Sequence, residues 1–93
     1  NEMADLDKEQ QMRYFTTFVA TLLDDFARYL DGTPAVNPIT DGVEYHKVPL
    51  ELSDQELVEM TRAVNQALQP FRGNDPSPLR RRRLFATVLI PGD

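Results

Sequence analysis

The chain contains no cysteine, no tryptophan, a single histidine and only four glycines among 93 residues. Each shortage removes a class of function. Without thiols there is no disulfide scaffold, thiol nucleophile, iron–sulfur cluster or thiolate metal sensor, and that usage fits a reducing cytoplasm. The lone His46 allows no His-x-x-x-His zinc pattern. The isolated glycines Gly32, Gly42, Gly73 and Gly92 form no phosphate-cradling loop. No stretch of about 18 apolar residues is present, which excludes a membrane-spanning helix. The opening Asn1-Glu2-Met3-Ala4-Asp5 has neither the basic nor the apolar region of a targeting peptide.

Catalytic groups are equally scarce. The two serines, Ser53 and Ser77, lie at a helix start and in a loop, outside any nucleophile-elbow context. Asp24 and Asp25 are adjacent helical residues that point about 100° apart, so they do not converge on a metal ion or a scissile bond. His46 follows Tyr45 on a predicted strand and reads as a surface or half-buried histidine rather than a general base. The expectation is therefore a protein that is not an enzyme, with no cofactor and no metal.

What is present is the composition of one small soluble domain spanning 1–93, with 41% hydrophobic and 27% charged residues. At this length the core is small and gains from a partner subunit. The net charge of −5 divides unevenly: residues 1–60 hold 13 acidic against 4 basic residues, and 61–93 hold 6 arginines against 2 aspartates. The first two-thirds repel nucleic acid, so any DNA contact from these residues falls to Arg80-Arg81-Arg82-Arg83. On a strand those arginines alternate between faces, which favours neutralising the acidic excess over a single-faced phosphate comb.

Asp7-Lys8-Glu9-Gln10 predicts a helix start with a capping box. Apolar residues then recur at Met12, Phe15, Val19, Leu22, Phe26 and Tyr29/Leu30, a heptad-like seam widened by Phe18, Leu23 and Ala27, to an end near Asp31-Gly32. This helix reads either as a core helix or as a dimerisation helix packed on its twin through Phe15, Val19, Leu22, Phe26 and Tyr29. Residues 32–42 read as a loop, with Gly32 suited to a left-handed cap. Residues 43–52 alternate as an edge strand interrupted by Pro49. Ser53-Asp54-Gln55-Glu56 is a second capping box, opening a helix with Leu57, Met60, Thr61, Val64, Leu68 and Phe71 on one face and Pro70 in its last turn. After a loop at 72–78, residues 81–90 read as an inner strand.

The expected fold is thus α+β: a long N-terminal helix, then strand-helix-strand, its small sheet completed by dimerisation. The strands run parallel or antiparallel on this reading. A small-molecule pocket is the alternative use of the aromatic residues: Tyr14, Phe18, Tyr45, His46 and Phe85, with Arg82 and Arg83 as polar anchors.

Three segments, Arg13–Leu30, Gly42–Leu57 and Arg80–Pro91, together resemble the C-terminal portion of ArsR-like winged-helix transcriptional regulators of actinobacterial type. The resemblance covers nearly the whole chain and is one of fold pattern rather than of chemistry. It implies a cytoplasmic bacterial regulator whose DNA-binding winged helix-turn-helix lies upstream of residue 1, an expectation that the non-methionine start also suits. This chain is then its homodimerisation and effector-sensing domain, touching DNA only through that upstream part and no membrane. The absence of cysteine departs from the metal-sensing members of the family. A free-standing small-molecule-binding or protein-interaction domain is the alternative.

Overall fold

Two reciprocal caps begin the two long helices of the computed structural model, which describes residues 7–92. At the first, the Gln10 backbone N–H donates to Asp7 Oδ1 at 2.8 Å, and the Asp7 N–H donates to Gln10 Oε1 at 3.2 Å. At the second, the Glu56 N–H donates to Ser53 Oγ at 3.1 Å, and the Ser53 N–H donates to Glu56 Oε1 at 2.9 Å. Each box satisfies amide donors that a helix end leaves without intrahelical partners. The helices they open are α1, Lys8–Gly32, and α3, Asp54–Arg72.

Between them lies a short helix, α2, Pro38–Asp41, inside the segment read as a loop. Its cause is local. Asn37 accepts from the Thr40 N–H, Pro38 supplies a helical φ at the first position, and Gly42 ends the turn at φ 76°. Gly42 is the one glycine that takes the left-handed conformation among the described residues. Gly32, expected to do so, stays within α1, which is capped instead by Thr33 in an extended conformation.

The α+β expectation is corrected here: among the described residues every regular element is a helix, and no strand forms. Residues 43–53 and 80–92 belong to no helix and no ladder. Apolar alternation makes a segment ready for a sheet, but a strand exists only when its amides and carbonyls pair with a second strand. Pro49 removes a donor from the first segment, so its backbone cannot supply a full ladder. With no sheet, neither the strand-helix-strand arrangement nor a sheet edge describes this chain.

The chain divides into two units, Asn1–Tyr45 and His46–Asp93. Within the first, the Tyr29 hydroxyl donates to Asp41 Oδ2 at 2.6 Å and so ties α2 to the last turns of α1. Within the second, Pro70 sits in the last turn of α3, which ends two residues later at Arg72. Neither unit holds a buried residue among those described.

The Ser53 N–H and hydroxyl hold the Glu56 carboxyl below its ordinary value. A carboxylate depressed on folding stabilises the helix above its unfolded pKa, and that contribution is lost as pH falls through the folded value. Far-UV circular dichroism on acidification should therefore show a loss of helicity that is smaller in Glu56→Gln, whose amide keeps the cap without titrating. Identical acid profiles for the two proteins would show that the cap does not govern α3.

Candidate functional site

At about 1.5 Å per residue the 25 residues of α1 run for about 38 Å. Glu9 pairs with Arg13, and Asp25 with Arg28, one turn apart in each case. The first pair and Arg28 are largely solvated while Asp25 is half-buried, and such surface pairs steady the helix only slightly. The hydroxyls of Thr16, Thr17 and Thr21 donate back to the carbonyls of Met12, Arg13 and Phe18. Threonine donors satisfied in this way lie beside apolar surface without leaving a polar group unpaired.

The residues proposed from sequence as an interface lie together on this helix. Val19, Leu22 and Tyr29 are half-buried, and Phe15 and Phe26 remain 42% and 41% exposed. Phe26 and Tyr29 pack edge to face, with ring centroids 5.8 Å apart. The Tyr29 hydroxyl is bound to Asp41, whose Oδ2 also accepts from the Asn37 N–H at 3.3 Å. One end of the seam is thereby fixed by its own polar tether. Asp41 was not among the residues picked out from sequence, although Asn37-Pro38 followed by Asp41-Gly42 carries the signature of a short capped turn.

The residues proposed as a ligand pocket are divided. Tyr14, Phe18 and Tyr45 belong to the first unit, and His46, Arg82, Arg83 and Phe85 to the second. Tyr14 is 62% exposed and Tyr45 83%. Of the seven, Phe85 alone lines a described groove, of about 260 Å³, with Leu68, Phe71 and Arg72. A larger groove of about 570 Å³ runs along α3 past Leu57, Val58, Thr61, Arg62 and Gln66. Every residue lining it comes from that one helix, so it is an open surface channel and not an enclosed cavity. Its lining joins Leu57 and Thr61, expected on the apolar face of this helix, to Arg62 and Gln66, expected on the opposite face.

In the arginine run, Arg80 Nη1 donates to the Asp75 carbonyl at 2.7 Å and the Arg80 N–H to the Ser77 carbonyl at 3.0 Å. Arg80 thus closes the loop after α3. Among the described residues no group of three or more acidic or histidine side chains is arranged to hold a metal ion. Likewise, no helix among them is long and apolar enough to cross a membrane. The chain matches no protein-family model, no curated protein and no solved structure.

Removing the Tyr29 hydroxyl should release α2 without disturbing the seam. Tyr29→Phe is expected to weaken the turn by about 1.5–3 kcal/mol, the usual range for a hydrogen bond to a charged acceptor. Amide exchange at Asp41, Gly42 and Val43, whose N–H groups bond within this turn, should accelerate while exchange in the middle of α1 stays constant. Unchanged exchange at all three would show that the tether is idle.

Proposed function

We propose that this chain is a homodimerisation module, acting as the C-terminal regulatory part of a winged helix-turn-helix transcriptional regulator in the bacterial cytoplasm. One observation carries the dimer: α1 and α3 are capped and long, yet their apolar residues stay exposed, Phe15, Phe18 and Phe26 on the first and Leu57, Val64 and Phe71 on the second. Helices in water owe most of their stability to packing of the apolar face. A sequence that spends two reciprocal caps on such helices is built for their faces to be covered. A second copy is the simplest cover, because a two-fold axis lets one surface serve both partners.

The regulator role draws on the resemblance of Arg13–Leu30, Gly42–Leu57 and Arg80–Pro91 and on the acidic charge of the first 60 residues. That charge suits a part of the protein held away from DNA, with operator contact left to an upstream winged helix. The effector role draws on the aromatic residues and arginines of the sequence alone, and the groove along α3 is open.

Sedimentation velocity on the 93-residue chain at tens of micromolar should give a dimer. A monomer under those conditions would contradict the module. The regulator role is tested separately on the gene. An in-frame winged-helix segment upstream supports it, and its absence favours a free-standing interaction domain.

A further inference from the structure

We propose that α1 pairs with α1 of a second copy in an antiparallel arrangement, in the register that sets Val19 against the partner subunit's Leu22. This rests on the dimer reading above and names the surface and direction of the contact. The seam residues Met12, Phe15, Val19, Leu22, Phe26 and Tyr29 follow one another by alternating steps of three and four, so they occupy the two inward positions of a heptad in turn. In an antiparallel pair, each of those positions meets the other kind on the partner helix. Met12 and Tyr29, Phe15 and Phe26, and Val19 and Leu22 each lie equally far from the midpoint between Ala20 and Thr21. A two-fold axis at that midpoint fills all six layers and leaves no seam residue unmatched. Sliding by a heptad in either direction strips the outer layers of their partners.

The seam sets the register; charge sets the direction. The C-terminal half of α1 carries Asp24, Asp25 and Asp31 against Arg28 alone, and its last turn has no basic residue to offset the negative end of the helix dipole. At the other end, Asp7 and Glu9 are balanced by Lys8 and Arg13. Parallel pairing stacks two uncompensated acidic ends and two aligned dipoles. Antiparallel pairing lays each acidic end beside the positive end of its partner, where Lys8 stands. Arg13 and the partner's Arg28 come level in this register, but they sit on the outward side, and each is already paired with a carboxylate one turn away on its own helix. On the flank, Leu23, 67% exposed, falls beside the partner's Thr16, whose hydroxyl is turned to its own backbone.

Because the chain has no cysteine, a single one can be placed and spin-labelled cleanly. Asp31→Cys lies on the side of α1 away from the seam. In the proposed register residue 31 stands level with the partner's Gln10, an axial offset of about 32 Å at 1.5 Å per residue. Dipolar electron resonance should then give a label separation of about 35–40 Å, with the outward faces of paired helices adding the rest. A principal distance under about 25 Å in a dimeric sample would mean parallel pairing, overturning the proposal and leaving the dimer intact. Val19→Asp, at the central layer, should lower dimer affinity at least tenfold by sedimentation. A dimer that persists unchanged in Val19→Asp would place the interface elsewhere and overturn the proposal. A monomeric parent chain would overturn both the pairing and the module.

Discussion

Apolar side chains gain about 25 cal/mol for each square ångström they withdraw from water, and a chain folds only if it finds somewhere to withdraw them. Here that constraint is unmet within either unit. Phe15, Phe18 and Phe26 stand on one helix, Leu57, Val64 and Phe71 on another, and no described residue is buried. The rest of the structure follows from how the chain lives with that condition. Its helices hold their form by local means, through caps, ion pairs one turn apart and threonine back-bonds, and they carry apolar stripes ready for cover from a second subunit.

Local devices explain why the elements are sharp even though packing within each unit is sparse. The Asp7–Gln10 and Ser53–Glu56 boxes each satisfy two end amides, and α1, at 25 residues, is long enough to outrun the cost of nucleation. The tether from Tyr29 to Asp41 extends this order past the end of α1, since the Asp41 carboxylate receives both the phenol and the Asn37 amide. The same tyrosine closes the apolar seam with its ring against Phe26. One residue thus couples the interface candidate to the short helix behind it.

Features that depend on a few neighbouring residues were legible in the sequence. Both capping boxes, the span of the first helix and the place of Pro70 follow from contacts within four residues. The strands were not legible. Val48, Leu50 and Leu52 alternate as a strand would, but a ladder needs a second backbone, and alternation says nothing about whether one arrives. The short helix at Pro38–Asp41 was hidden by composition, because the Asn, Pro, Asp and Gly that mark a loop are also the residues that cap a single turn. For the candidate site the division is the same. The seam of α1 follows from spacing on one helix, whereas a ligand pocket requires residues far apart in sequence, such as Tyr14 and Arg82, to converge, and spacing on a single element carries no information about that.

If cover by a second subunit is what stabilises these helices, their stability belongs to the assembly and must obey mass action. The most direct measurement is thermal unfolding, followed by the helical circular dichroism signal over about a hundredfold range of protein concentration. The melting temperature is expected to rise steadily with concentration, together with the fraction of dimer. A melting temperature that stays constant across that range, with full helicity at the lowest concentration, would contradict assembly as the source of the missing cover.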